Sequence, residues 1–226
     1  MTGKPQTGAK QAAKSPKGKQ LVIMVSSTVY GIEELLEKTY GVLTEYGYEV
    51  WMSHKGTVPV WPNLTAFENC LRAVENCDLF LSIITPQYGS GKEKKDSLSI
   101  THQELLKAIE LNKPRWILAH DYVPFCRTLL RGLGFDTAQK RAALQLKPTP
   151  LIDDLRVVDM YEAAIRHELN LRDRTGNWVQ KFVSPDDALL FASAQFFRYQ
   201  EVEKFLEENF IDKTSVAKVA TKKVSP

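Results

Sequence analysis

Three short polar segments carry the side chains best suited to chemistry in this sequence. Ser26, Ser27 and Thr28 follow an apolar run, a glycine-containing segment begins at Tyr88, and Glu104 lies near the start of a later helical pattern. Hydroxyl groups can bind phosphate or ribose oxygens, and glycine lets backbone N–H groups approach a phosphate closely. A carboxylate can act as a base, as a nucleophile or as a stabiliser of positive charge. Together these segments predict a site for a ligand that contains phosphate or sugar.

Each segment also has a purely structural interpretation. The run from Ser26 to Thr28 could cap the helix that follows it, because serine and threonine are favoured at that position. Residues 101–104 fit the capping-box pattern, in which the side chain of Glu104 would return to the backbone N–H of the cap residue. From spacing alone, capping is favoured over catalysis for this glutamate. Gly89 could serve only to permit a turn.

The hydrophobic pattern predicts strands that alternate with helices. Strands are predicted at residues 21–25, 48–52, 79–85, 115–119 and 155–160. Helices are predicted at residues 32–47, from residue 63, at 102–111, near 125–133, and as one long helix that opens after Ser184. Such alternation indicates β-α-β units and a parallel sheet. The simplest right-handed solution is a three-layer α/β fold with the flavodoxin-like strand order 2-1-3-4-5 and an added C-terminal helix.

This strand order predicts where a ligand would bind. The order reverses between the first and third strands, and open parallel sheets bind ligands outside the carboxyl ends of the strands at such a point. All three polar segments would converge there, with Glu104 as the candidate catalytic residue. Tyr30, Trp51 and Tyr88 are candidates to stack on a base. The predicted substrate-binding residues are Ser26, Ser27, Thr28, Tyr30, Trp51, Tyr88, Gly89 and Ser90.

Basic residues are concentrated at the two ends of the chain. Residues 1–19 carry five lysines and residues 213–226 carry four, with no acidic residue in either segment, so residues 20–212 have a formal charge of about −6 against +3 for the whole chain. An acidic body argues against nucleic-acid binding. We expect disordered tails at 1–19 and 212–226, an α/β domain at 20–165, and its C-terminal helical extension at 166–211.

The sequence predicts neither a metal site nor a membrane segment. Cys70 and Cys77 would lie on one apolar face of a helix as reduced core residues, His102 would lie at the surface, and the histidines do not group as metal ligands. No apolar run reaches the length of a membrane span, and no secretory signal is evident. The absence of G-x-x-x-x-G-K-[ST] excludes a P-loop NTPase. A cytoplasmic protein without a cofactor is the expectation.

Three motifs in a fixed order resemble a bacterial domain family of unknown function. They are 24-MVSSTVYGIEELLE-37, 74-VENCDLFLSIITPQYGS-90 and 98-LSITHQELLKAIELNKPRWIL-118. The family carries corresponding ISST, YGS and S-x-T-x-x-E elements, and the likeness covers about residues 20–120. Gly31 stands where the family usually has an aspartate, and Glu37 matches its later acidic residue only loosely.

The resemblance implies a TIR-like domain that processes a nucleotide. The family is similar to TIR domains and to nucleoside 2-deoxyribosyltransferases, and it recurs in bacterial antiviral defence systems. Both groups carry a functional glutamate early in the helix after the third strand, and Glu104 matches it by position. The implied activity is an N-glycosidase, or NAD+ nucleosidase, for which NAD or a related nucleotide is the substrate. Cleavage of that bond passes through an oxocarbenium-like state, which a carboxylate can stabilise or attack.

Two further functions stay open at this point. One is a non-catalytic module that senses a nucleotide or assembles with other copies, and the other is a nucleoside 2-deoxyribosyltransferase. The resemblance also implies a homo-oligomer and an effector protein as a partner. If the aromatic stripe of the C-terminal helix is exposed, it would be a dimer surface. Its members are Phe196, Phe197, Phe205 and Phe210.

Overall fold

One parallel sheet organises the part of the chain that the computed structural model describes, residues 20–89, 91 and 97–209. Its strands are β1 (Val22–Ser27), β2 (Glu49–Trp51), β3 (Leu79–Ile84), β4 (Arg115–His120) and β5 (Val179–Phe182). The strand order is β2-β1-β3-β4-β5, and every neighbouring pair is parallel. The predicted α/β class and strand order are therefore confirmed. The predicted tails at 1–19 and 212–226, together with Ser90 and Phe210, lie outside the described residues.

Helices cover both faces of the sheet. They are α1 (Glu33–Glu45), α2 (Ala66–Asn76), α3 (Ile100–Glu110), α4 (Tyr122–Gly132), α5 (Ala138–Ala142), α6 (Arg156–Ala164), α7 (Pro185–Phe196) and α8 (Tyr199–Asn209). Alternate residues of β1 enter opposite cores, because side chains of a strand point to opposite faces in turn. Val22 and Met24 pack with α2, α3, α4 and α6, whereas Ile23 and Val25 pack with α1, α7 and α8. The result is a three-layer α/β arrangement.

The predicted fifth strand at residues 155–160 is wrong, because that segment lies in helix α6. Its adjacent valines suggested a strand, but the buried residues Val157, Met160 and Ala164 recur at helical spacing along one face. The true β5 is an edge strand of four residues, of which only Phe182 is buried. A short edge strand with one buried side chain gives almost no hydrophobic pattern, so β5 could not be predicted from the sequence.

The C-terminal region departs from the predicted single long helix. The helix start after Ser184 is confirmed, with a capping box to Asp187 and a proline in the first turn. The helix ends at Phe196, however, and α8 begins only at Tyr199. Residues 166–209 also contribute β5 to the sheet. This region is therefore not a purely helical extension, since it completes the sheet and covers one face of it.

Candidate functional site

Glu104 is a buried carboxyl group that contacts the end of β1. Its side chain lies on α3 and is only 5% exposed. The hydroxyl of Ser26 donates a hydrogen bond to Glu104 Oε2 over 2.5 Å. The thiol of Cys70, on α2, also hydrogen-bonds the carboxyl group. Strand β1, α2 and α3 thus each place one polar group at the same point beside the central strands of the sheet.

Burial controls the protonation of this carboxyl group. Desolvation raises the pKa of Glu104 to about 7, although the hydrogen bonds from Ser26 and Cys70 act in the opposite direction. Burial also raises the pKa of the Cys70 thiol to about 12, so the thiol stays protonated and can donate to the carboxylate. Glu104 therefore changes charge near neutral pH, which is the range in which general acids, bases and nucleophiles operate.

The capping interpretation of Glu104 is wrong. Helix α3 begins two residues earlier than the capping-box pattern required, with Ser99 as its N-cap. The Ser99 hydroxyl accepts from the backbone N–H of His102 over 3.3 Å, and Thr101 lies inside the helix. Ser99 and Thr101 are both suitable cap residues at neighbouring positions, and the structure uses the first. The glutamate is consequently free of any capping role.

The capping interpretation of the hydroxyl run at the end of β1 is also wrong. The N-cap of α1 is Ile32, and no side chain among the described residues caps this helix. Ser27 donates instead to the carbonyl oxygen of Ile83 over 3.0 Å. The hydroxyls of Thr28 and Thr85 hydrogen-bond each other over 2.7 Å. These hydrogen bonds link the carboxyl ends of β1 and β3, at the point where the strand order reverses.

Gly89 fits this edge for a steric reason. Its φ angle of +88° lies in the region that residues with a Cβ rarely adopt. A Cβ atom at this position would also lie 2.8 Å from Cγ2 of Thr28. Glycine therefore allows the segment after β3 to pass directly over the end of β1, which brings two of the predicted site segments into contact.

The three aromatic candidates for base stacking are not equivalent. Tyr88 is almost fully buried and its hydroxyl contacts Nδ1 of His102 over 2.8 Å. Trp51 is also buried, and its indole N–H donates to Glu49 over 2.8 Å. Neither ring is accessible to a base in this arrangement, so the predicted stacking role does not fit them. Tyr30, which is 72% exposed, is the accessible member of the three.

His102 does not lie at the surface as predicted. It is buried beside Tyr88, and its ring packs edge-on against the tyrosine ring at 5.7 Å between centroids. Burial lowers the pKa of His102 to about 4, and the positive charge of Arg156 acts in the same direction. The imidazole is therefore neutral at physiological pH and links the start of α3 to the segment after β3.

A contact group from the start of α6 holds both ends of the connection between β3 and α3. The Arg156 guanidinium lies 4.8 Å from the centre of the Tyr88 ring and donates to the carbonyl of Ser97 over 3.0 Å. Asp154 accepts two hydrogen bonds from Arg156 Nε and Nη2, and Asp153 accepts from the backbone N–H of Tyr88 over 2.7 Å. Sequence analysis missed this group, because it predicted a strand at residues 155–160, where the structure has the start of α6.

A second serine, Ser82, lies beside Ser26 and was not predicted as a site residue. Ser82 of β3 is paired in register with Ser26, so both side chains point to the same face of the sheet. Its hydroxyl is fully buried and has no hydrogen-bond partner among the described residues. An unsatisfied buried hydroxyl is uncommon and requires an explanation. A serine within an otherwise apolar strand was the sequence signal that could have revealed it.

A cavity of about 370 Å³ adjoins this contact group. Arg156 and Asp154 line it together with Arg141 and Asp159. Its charged groups already pair with one another, since Arg141 binds Asp159 and Arg156 binds Asp154. This cavity is therefore a structural neighbour of the site and shares with it only the residues that anchor the β3–α3 connection.

The described residues were compared with the requirements of a metal site and of a membrane-spanning helix, and they meet neither. Within these residues, no group of histidine, cysteine, aspartate or glutamate side chains could hold a metal ion. The three cysteines are free thiols. In the same part of the chain, no helix combines the length and apolar character that crossing a bilayer requires.

Comparison with known proteins gives one family. The family model described as a domain of unknown function, DUF4062, matches residues 22–143, which is more than half of the 226 residues. The match includes β1 to β4 and therefore Ser26, Gly89 and Glu104, and it ends before α6 and β5. Among curated proteins, none matches this chain. On the extent of the family match, the chain belongs to the DUF4062 family.

Proposed function

We propose that this protein is a TIR-like, nucleotide-processing domain that cleaves the N-glycosidic bond of NAD or a related nucleotide. The reacting group is the carboxylate of Glu104, and the ligand lies at the carboxyl ends of β1 and β3. The observation that carries the proposal is the hydrogen bond from Ser26 to a glutamate that has no capping role. This pair lies at the carboxyl ends of the strands near the point where the strand order reverses, which is where open parallel sheets bind ligands.

The cost of burying Glu104 supports a functional role. A buried carboxyl group with a pKa near 7 destabilises the folded protein at neutral pH, because ionisation there is unfavourable. An apolar residue or glutamine would avoid this cost. Groups of this kind persist where a function requires them, and they cluster in catalytic sites.

The chemistry requires little beyond one positioned carboxylate. The bond between C1′ of the ribose and the base nitrogen breaks, and its electron pair leaves with the base. Glu104 stabilises the resulting oxocarbenium ion or attacks C1′, and water then adds its oxygen to C1′ and loses a proton. Nicotinamide in NAD is already cationic and leaves as a neutral base, so no second acid is needed. Ser26 fixes the orientation of the carboxylate, and the Thr28 and Gly89 segments provide polar groups for the ribose and phosphates.

A second candidate is a module that binds a nucleotide without turnover. The burial of Glu104, only 5% exposed, favours it, because a reacting carboxylate must reach the ligand. Two of the three aromatic rings expected to hold a base are buried as well. In either role we expect the protein to act in bacterial defence or signalling in the cytoplasm, with an effector protein as a partner.

Product analysis tests the first proposal against the second. Purified protein is incubated with NAD, NADP, ATP and deoxynucleosides, and free base is measured by chromatography. We expect base release by the wild type, a loss of at least 100-fold in Glu104→Gln, and no loss in Glu110→Gln, an exposed control on the same helix. Equal turnover in Glu104→Gln would contradict the assignment. If no product forms but one nucleotide raises the melting temperature, the protein is the binding module. If a base is exchanged only when an acceptor base is added, the protein is a deoxyribosyltransferase.

A further inference from the structure

Four arginines form a connected group at the amino-terminal edge of the sheet. Each lies at the start of a strand, at the end of a helix or in the segment before β5, and they are Arg115, Arg131, Arg166 and Arg174. Because all five strands are parallel, this edge is opposite to the carboxyl ends of β1 and β3, where Ser26 and Glu104 lie. We call the four side chains the arginine cluster.

His167 links two members of the cluster. Its Nε2 atom accepts a hydrogen bond from Arg131 over 2.8 Å, because a guanidinium group can only donate. Its backbone carbonyl accepts from Arg174 over 3.0 Å. Burial lowers the pKa of His167, and the positive charges of Arg127 and Arg131 act in the same direction. The imidazole is therefore neutral at physiological pH and does not add a charge to the cluster.

Thr175 joins the other two members. Its carbonyl oxygen accepts from Arg115 over 3.2 Å and from Arg166 over 3.3 Å, so two guanidinium groups converge on one atom. Burial lowers the pKa of Arg115, and the positive charge of Arg166 lowers it further, although an arginine side chain remains charged. The buried Nε atom of Arg115 has no hydrogen-bond partner among the described residues. Like charges this close together favour the binding of an anion.

Carboxylates do not neutralise the arginine cluster. Within the described residues its hydrogen bonds go to carbonyl oxygens and to His167, and neither Glu168 nor Asp173 of the same segment forms an ion pair with it. Glu162 lies close enough to raise the pKa of His167, but two arginines outside the cluster already bind its carboxylate. Contacts with carbonyls at helix ends explain part of the arrangement. Each guanidinium nevertheless uses at most two of its five N–H donors in these contacts, and the rest suit an anionic ligand.

Another cavity, of about 500 Å³, adjoins the cluster at Arg115. The other residues that line it have aromatic or amide side chains, and they are Trp116, Trp178, Gln180, Phe191 and Gln195. Aromatic rings can stack on a planar base, and amide groups can hydrogen-bond its edge. The Trp178 side chain is 74% exposed and therefore accessible. Only three residues separate Trp178 from Thr175, at most about 10 Å of extended chain, so the cavity and the cluster are neighbours.

We propose that this edge of the sheet binds a nucleoside phosphate, with its base in the cavity and its phosphates on the arginine cluster. Guanidinium groups match phosphate oxygens in charge and in geometry, and the aromatic and amide walls match a base. The volume of the cavity is within the range of small-molecule sites. This site is separate from the one at Glu104, and the inference does not depend on the proposed enzymatic activity.

Calorimetric titration of the full chain tests the inference, with ATP, GTP, CTP and UTP as the probes. We expect at least one of them to bind. Arg131→Gln and Trp178→Ala, both at exposed positions, should each raise its dissociation constant at least tenfold, because one removes a charged donor and the other a stacking surface. Arg72→Gln removes the same charge from an exposed position on α2 and is the matched control, which should bind as the wild type does.

Inorganic tripolyphosphate separates the two halves of the site. Arg131→Gln should weaken its binding, whereas Trp178→Ala should not, and circular dichroism verifies that the variants are folded. If none of the four nucleotides binds, or if neither variant changes the dissociation constant, the inference is wrong. Binding of a single-stranded oligonucleotide without binding of any single nucleotide would also overturn it and would assign this surface to nucleic acid. None of these outcomes bears on base release, which is measured separately.

Discussion

At the scale of single residues, Glu104 and His102 lie two positions apart in α3 and have pKa values shifted in opposite directions. Burial raises the pKa of Glu104 from 4.5 to about 7 and lowers the pKa of His102 from 6.5 to about 4. The folded protein binds a proton at Glu104 more tightly than the unfolded chain does. The contribution of this residue to the free energy of unfolding therefore falls as pH rises from 4.5 to 7. The contribution of His102 to the free energy of unfolding rises as pH increases from 4 to 6.5. The contributions of the two residues therefore offset each other over this range.

Replacing the glutamate should expose the contribution of the histidine. In Glu104→Gln, the free energy of unfolding should rise between pH 4 and 6.5 on the order of 3 kcal/mol, whereas that of the wild type should change little. Above pH 7 the variant should be the more stable protein, because no buried carboxylate remains. Urea unfolding at several pH values measures both effects. The same pH dependence in both proteins would contradict the assigned pKa shifts.

At the scale of elements, the turn after β3 depends on the contact between Gly89 and Thr28. Gly89→Ala would combine an unfavourable φ with a clash against Thr28 Cγ2. Gly31 has a similar φ of +84°, but no atom of the residues that the structure describes lies within 4 Å of its would-be Cβ, so Gly31→Ala is a control for the backbone effect alone. We expect the free energy of unfolding to fall by about 1 kcal/mol in Gly31→Ala and by about 2–4 kcal/mol in Gly89→Ala.

Removing the clashing methyl group provides the decisive comparison. Thr28→Ser keeps the hydroxyl that bonds Thr85 and removes Cγ2, so it should recover part of the stability lost in Gly89→Ala. Thermal unfolding of the four proteins in this cycle measures the recovery. Losses that simply add in the double variant would show that the two residues are not in contact.

The candidate site shows what sequence reasoning can and cannot provide at this scale. Ser26 and Glu104 were predicted to converge because each follows a recognisable strand and the strand order places both at one edge. Ser82 and Arg156 were missed. The first required the register of β3 on β1, and the second required knowing that α6 packs beside α3. Neither register nor helix packing is encoded in local periodicity.

At the scale of the whole molecule, the residues beyond the family match are part of the same folded unit. Phe196 on α7 is fully buried and contacts Tyr48 and Trp116 from two different strand regions. Phe196→Ala should therefore lower the free energy of unfolding by about 3–5 kcal/mol. Phe197→Ala, at the exposed neighbouring position, should cost less than about 1 kcal/mol. Equal effects in chemical unfolding would mean that α7 does not pack on the sheet.

The dependence of base release on pH tests most directly whether Glu104 reacts as a carboxylate held by Ser26. We expect the wild-type rate to rise with pH around an apparent pKa near 7. In Ser26→Ala this pKa should increase, because the hydrogen bond that favours the charged form is lost. A rate that does not depend on pH, a profile unchanged in Ser26→Ala, or no base release at any pH would contradict this role of Glu104.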